Sequence, residues 1–174
     1  MGQITPPRPL EETDDRAQFD CGRETLNNWL VRHAWRNHKD GVSRTYVIEG
    51  SEPRQIAGYV TLSTGSIERA FVSKRDQRNK PDPLPIILLG QLAVDQAYQG
   101  KGYARSLLQF ALQTAVNLTE LVGGYGVLTH PLDDQIRGFY RSWGFEDLPF
   151  DPKRAMFVRI VDLKHNGFEV KNHV

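Results

Sequence analysis

Apolar residues recur along the chain at two periods, and the changes between them divide it into elements. Leu26, Trp29, Leu30, Ala34 and Trp35 return at helical spacing, which predicts an amphipathic helix over roughly 23–38 with Asp20 as N-cap and Gly41 as stop. Arg44–Glu49 (RTYVIE) and Gln55–Thr64 (QIAGYVTLST) read as strands around the turn GSEPR, with 66–72 extending the second strand or starting a short one. The most apolar run, Pro85–Asp95 (PIILLGQLAVD), predicts a central strand. Gly102–Leu118 is periodic at helical spacing after a glycine-rich turn, Gly126–Thr129 begins the next strand and Leu132–Trp143 reads as a second good helix. Residues 154–163 (RAMFVRIVDL) read as a closing strand. The first 18 residues, rich in Pro and acid, predict a lead-in that becomes ordered near Phe19, and 73–84 (SKRDQRNKPDPL) predicts a mobile basic loop. Together this predicts one domain over 1–174: a mixed α/β or α+β sheet with helices on its faces.

Composition narrows the class. No apolar run approaches the ~20 residues a membrane helix needs. The N-terminus lacks an apolar stretch after a basic start, so no secretory signal is expected. A single cysteine, Cys21, excludes an internal disulfide framework and a clustered cysteine metal site, and points to a reducing cytoplasm. The five histidines show no metal-ligand spacing, so no metal is expected. Net charge is only +1 but unevenly spread. Arg69, Lys74, Arg75, Arg78 and Lys80 face one acid, Asp76, and Arg32, Arg36, Lys39 and Arg44 face Asp40. Two basic clusters in a near-neutral chain suggest a polyanionic partner.

The segment Leu89–Leu108 (LGQLAVDQAYQGKGYARSLL) runs an apolar strand into a loop with two glycines that opens a long helix. Such a junction aims backbone N–H groups and the positive helix end at one point, which suits a phosphate or pyrophosphate. A P-loop would need Lys then Ser or Thr after its last glycine, and Tyr103 follows Gly102. A dinucleotide fingerprint would need Gly or Ala where Arg105 stands, and its acidic ribose ligand is also missing. Gln99, Gly102 and Ala104, with Val94 upstream, instead match the Gln/Arg-x-x-Gly-x-Gly/Ala motif of the GNAT acetyltransferases.

The resemblance extends along most of the chain. Residues 19–48, 56–67, 88–108 and 128–145 resemble the GNAT toxins of bacterial type II toxin–antitoxin modules, including FYRSWGF at the end of the second helix. It implies an α+β, three-layer GNAT fold with a central mixed, mostly antiparallel sheet flanked by helices. It implies acetyl-CoA as co-substrate, the α-amine of aminoacyl-tRNA as acceptor, and a block of translation. It further implies a bacterial, cytoplasmic homodimer held by a cognate antitoxin of the ribbon-helix-helix kind. The family pattern assigns Gln99, Gly100, Lys101, Gly102, Tyr103 and Ala104 to the cofactor pyrophosphate. Main-chain groups of Leu92, Ala93 and Val94 fall to the acetyl and pantetheine arm, and Tyr140 to the general acid.

The chemistry agrees with these assignments. Expulsion of a thiolate whose conjugate acid has a pKa of about 8.5 is assisted by a positioned phenol of pKa about 10. No obvious carboxylate base stands near the motif. An α-amine of pKa about 7.7–8.0, lowered further by an adjacent ester, needs one less than lysine does at about 10.4. If the acceptor is charged tRNA, Arg32, Arg36 and Lys39 share one helix face toward its phosphates, and Lys74, Arg75 and Arg78 do so from the loop. Two other readings stay open: acetylation of a small-molecule amine or protein N-terminus, and a non-catalytic acetyl-CoA-binding regulatory module. Trp29 and Trp35 read as packing residues, and His130 and Cys21 as structural, although a cysteine before a helix can have a lowered pKa.

Overall fold

The computed structural model describes residues 3–171; Met1 and Gly2 of the expected lead-in, and residues 172–174, lie outside the described residues. Where the sequence reads as one domain, internal packing groups the chain into two compact units, Met1–Ser63 with Gly90–Ala111, and Thr64–Leu89 with Leu112–Val174.

The first unit contains β1 (Arg8–Pro9), α1 (Glu24–Trp29), a π-turn (Leu30–Ala34), α2 (Trp35–Asp40) and β2 (Arg44–Glu49). It also holds most of β3 (Ile56–Ile67), the end of β4 (Leu84–Val94) and the first half of α4 (Tyr103–Val122). β1 pairs antiparallel with β2 (Arg8↔Val47), and β2 antiparallel with β3 (Tyr46↔Val60). Residues 56–62 of β3 are buried without alternation, as in a strand covered on both faces. Leu26, Leu30, Ala34, Val47, Tyr59 and Ala93 form its core, with Trp29 and Trp35 packed against it as expected.

Two expectations change here. The first helix is not one regular α-helix. Leu26, Leu30 and Ala34 are buried at a constant spacing of four, and the wider π-turn keeps them on one face where 3.6 residues per turn would drift. Its N-cap is Arg23 rather than Asp20, because the chain turns at Gly22 (φ +87°) first; the Asp20 carboxylate instead accepts from Gly22 N and Asn27 Nδ2. Gly41 does end the helix, at φ +77°. The lead-in is ordered well before Phe19: Arg8–Pro9 joins the sheet, Leu10 is buried and Asp14 is buried beneath Arg8. Arg8 donates to Asp14 at 2.7 and 2.9 Å, and Glu11 N donates at 2.8 Å.

The second unit runs in strand order from the end of β3 through the start of β4, β5 (Gly126–Thr129) and β7 (Met156–Arg159) to β6 (Glu146–Asp147). β4 and β5 are parallel (Ile87↔Val127, Leu89↔Thr129), whereas β5–β7 and β6–β7 are antiparallel. Helix α5 (Asp134–Arg141) is capped by Asp133, whose carboxylate accepts from Ile136 N at 2.9 Å.

Residues 73–84, expected as a basic loop, contain one short helix. They follow a short 3-10 turn (Arg69–Phe71), open with α3 (Lys74–Gln77), and are tied down by Asp76. The Asp76 carboxylate accepts from Tyr125 Oη at 2.6 Å and Ser73 Oγ at 3.0 Å, with Arg159 at 3.5 Å. Burial works against its charge, and these donors outweigh burial and hold it below the usual carboxylate range. The closing strand is shorter than expected: β7 stops at Arg159 and α6 (Ile160–His165) follows. Arg159 holds Asp162 through two bonds of 2.8 Å, and Ile160 and Leu163 are buried three apart, which is a helical pattern.

Asp14→Asn is expected to lower stability by about 2 kcal/mol, since it leaves Arg8 with only the more exposed Glu49, 2.9 Å away, as its charge partner; the figure is reduced for Arg8's partial exposure. Burial opposes the charge on Asp14, but the Arg8 and Glu11 bonds depress its pKa overall. The contribution is therefore present above the unfolded value of about 3.9 and is lost as pH falls through the folded one. Urea unfolding at pH 7 and pH 3 should show the difference between the proteins narrowing at the lower pH.

Candidate active site

The sequence-predicted residues fall in both units, and each group is built by its own local chemistry. In the first unit, β4 ends at Val94 and hands over to a 3-10 turn (Gln96–Tyr98). Asp95 governs the handover. Its Oδ1 accepts from Ala97 N at 2.9 Å, its Oδ2 from Asp20 N at 3.0 Å, and its own N–H donates to Ala57 O at 2.8 Å. Gln99 follows with both amide protons committed, to Val94 O at 2.9 Å and to Cys21 O at 3.0 Å. The Gln99 side chain thus fixes the loop, and the groups left for an anion are the main chain of Gly100–Ala104.

Gly100 and Gly102 adopt φ +76° and +92°. A side chain there would be strained, and a Cβ on Gly100 would meet no atom within 4 Å, so the loop presents bare backbone to open space. Tyr103 then begins the 20-residue α4, whose leading N–H groups have no carbonyl a turn earlier. This fits a pyrophosphate in both geometry and sign. Lys101 bends back, its Nζ 3.2 Å from Ala97 O and over the Tyr98 ring. Tyr103 meets Tyr98 edge-on at 5.3 Å. Ala93 and Val94 are buried and Leu92 partly so.

In the second unit Tyr140 ends α5, 4% exposed, with its ring edge-on to Phe145 at 5.2 Å. Burial pushes its phenol up to about 12, so it is protonated at neutral pH. Thr129, the last residue of β5, is buried in the same unit. Thr129 Oγ1 donates to Leu89 O at 3.1 Å.

Arg32, Arg36 and Lys39 are all exposed while Leu30 and Ala34 are buried, as the helical spacing requires. Lys74, Arg75 and Arg78 are exposed on the segment anchored by Asp76, with Lys74 Nζ over the Phe150 ring at 5.7 Å. Cys21 is buried and its thiol is pushed up by burial, opposite to a reactive cysteine. His130 is exposed rather than buried in a structural role. Among the described residues no cluster of three or more His, Cys, Asp or Glu is placed to hold a metal, and no helix is long and apolar enough to cross a membrane.

Residues 41–147 match the acetyltransferase (GNAT) domain. A tRNA-acetylating toxin of Mycobacterium tuberculosis is 35% identical over 158 residues, covering 91% of this chain and 94% of the relative. The structure of AtaT complexed with acetyl-methionyl-tRNAfMet superimposes with a TM-score of 0.85 at 31% identity, covering 94% of this chain and 99% of that one. A tyrosine-to-phenylalanine mutant of AtaT, bound to the C-terminus of the antitoxin AtaR and acetyl-CoA, gives 0.77 at 28% identity, covering 92% and 96%.

Gly102→Val places a β-branched residue at φ +92° beside the helix start. Isothermal titration should show acetyl-CoA affinity falling about tenfold or more, equivalent to roughly 1.4 kcal/mol, with the circular dichroism spectrum unchanged.

Proposed function

The chain belongs to the GNAT acetyltransferase family, and on that premise we propose that it acetylates the α-amine of aminoacyl-tRNA from acetyl-CoA and so blocks translation. The observation that carries the acceptor is the tRNA-acetylating relative, 35% identical across 91% of this chain. AtaT, complexed with an acetylated methionyl-tRNA, supports the same acceptor. Acetyl-CoA supplies an acetyl thioester, whose carbonyl carbon takes the amine while its sulfur departs. In this reading the main chain of Gly100–Ala104 and the head of α4 hold its pyrophosphate, with Gln99 and Asp95 keeping that loop in shape. Main-chain N–H groups of Leu92, Ala93 and Val94 hold the thioester carbonyl and pantetheine arm.

Tyr140 is the general acid. A phenol shifted up to about 12 keeps its proton at neutral pH and has one to give to the departing sulfur; with a thiol of about 8.5 that transfer taken alone is uphill, so it is carried by the favourable exchange of thioester for amide. No general base is assigned, because the α-amine of an amino ester is largely neutral at cytoplasmic pH. Arg32, Arg36, Lys39, Lys74, Arg75 and Arg78 meet tRNA phosphates and contribute affinity without reading sequence. The protein acts as a homodimer in the bacterial cytoplasm and is held in check by a cognate antitoxin of the ribbon-helix-helix kind. AtaT bound to part of AtaR supports such a partner.

Incubation with radiolabelled acetyl-CoA and a mixture of charged tRNA, deacylated tRNA, spermidine and peptides tests the acceptor directly. Label is expected on charged tRNA alone, and Tyr140→Phe should lower kcat by about 100-fold or more. Label on spermidine or peptides would discard the translation block, and label on no acceptor would point to a binding module. For the basic residues, Arg32→Glu with Arg36→Glu should weaken tRNA binding and reduce the slope of log affinity against log salt by about two. An unchanged slope would remove the first helix from the tRNA surface.

A further inference from the structure

In the first unit, the turn between β2 and β3 meets the 3-10 turn Gln96–Tyr98 through one hydroxyl. Tyr98, which the sequence pattern did not single out, accepts from Ser51 N at 2.8 Å and donates to Gln55 Oε1 at 2.8 Å, with Ser51 Oγ at 3.1 Å. A phenol has one proton, and an amide oxygen can only accept, so that proton belongs to Gln55. The same Oε1 accepts from Glu52 N at 3.1 Å, and Gly50 N donates to Gln55 O at 2.8 Å. The turn is thus closed around the Tyr98 oxygen, although Gln55 and Ser51 lie 43 and 47 positions away in sequence.

Gly50 shows how close this approach is. A Cβ there would stand 2.7 Å from the Tyr98 hydroxyl and would also strike the Gln55 side chain. Any side chain at position 50 therefore drives the turn and the hydroxyl apart.

The ring of Tyr98 faces the loop on its other side. It meets Tyr103, the first residue of α4, edge-on at 5.3 Å, and Lys101 Nζ lies 5.8 Å from its centre. Between these contacts stand Gly100 and Gly102, residues with the widest choice of backbone conformation. Asp95 and Gln99 tie the chain on either side of Tyr98 to β4 and to the segment before α1. Tyr98 adds an anchor to a different element, the β2–β3 hairpin.

We infer that Tyr98 is a positioning residue for acetyl-CoA: its hydroxyl fastens the β2–β3 turn to the loop Gly100–Ala104 and so holds the curl that meets the pyrophosphate. The inference rests on the reading of that loop as the pyrophosphate site. A loop already held in its binding shape spends less of the contact energy on ordering. Loss of the anchor therefore weakens binding of the pyrophosphate end and spares the acetyl-pantetheine arm.

Tyr98→Phe removes the hydroxyl and keeps the ring against Tyr103. Isothermal titration should show its affinity for acetyl-CoA falling about tenfold. Its affinity for S-acetylpantetheine, which lacks the pyrophosphate, should stay within about twofold of the parent. Gly50→Ala leaves Tyr98 intact but displaces the turn from it, and should give the same selective loss. The double variant should bind acetyl-CoA no more weakly than the worse of the two, because both break one link. Parent-like acetyl-CoA affinity in Tyr98→Phe would overturn the inference. So would equal losses for the two ligands, or losses that simply multiply in the double variant. A parent protein that binds both ligands equally well would remove the pyrophosphate reading of the loop, and the inference with it.

Discussion

The functional end of the first unit depends on one arrangement of hydrogen bonds, the clasp that Asp95 and Gln99 make where β4 becomes a loop. A strand leaving a sheet exposes main-chain groups that must find partners. Gln99 gives one amide proton to the strand's last carbonyl, Val94 O, and the other to Cys21 O, far away in sequence. Asp95 takes the amides of Ala97 and Asp20. Four bonds from two side chains therefore lock the direction in which the chain leaves the strand. Ordering a loop costs roughly 1–2 kcal/mol of backbone entropy per residue. A clasp formed in folding meets that cost before any ligand arrives, so a bound anion need not. The glycines act downstream of it. Their positive φ values curl the main chain so that α4 begins with its N–H groups facing outward, and this is useful only if the loop's entry is fixed.

The chemistry proposed for the second unit has the opposite character, because it uses burial rather than openness. A phosphate is met by exposed backbone, whereas a proton donor gains from desolvation. Burial disfavours the phenolate, so Tyr140 holds its proton at every pH at which the protein operates. The same burial makes the phenolate costly after transfer. The basic segments add a third requirement that neither centre meets: affinity for a large anion. Of these cations, Arg75 lies 3.7 Å from the Asp76 carboxylate, on the short segment which that residue ties to Tyr125.

How much of this was legible in the sequence follows the range of the interactions. The strand–loop–helix segment at Leu89–Leu108 was readable because its signal is local: a strand, two glycines and a periodic helix within twenty residues. The anchoring of the basic segment was not legible, because its partners Tyr125 and Arg159 lie 49 and 83 positions beyond Asp76. The lead-in was misread, since a two-residue strand has no period and its anchor is a single buried carboxylate. At RAMFVRIVDL the local signal was ambiguous: an apolar run fits a strand or a buried helix, and the Arg159–Asp162 pair decides for helix after four residues. The π-turn left a trace in the constant spacing of Leu26, Leu30 and Ala34, legible only once a helix of one period was no longer assumed.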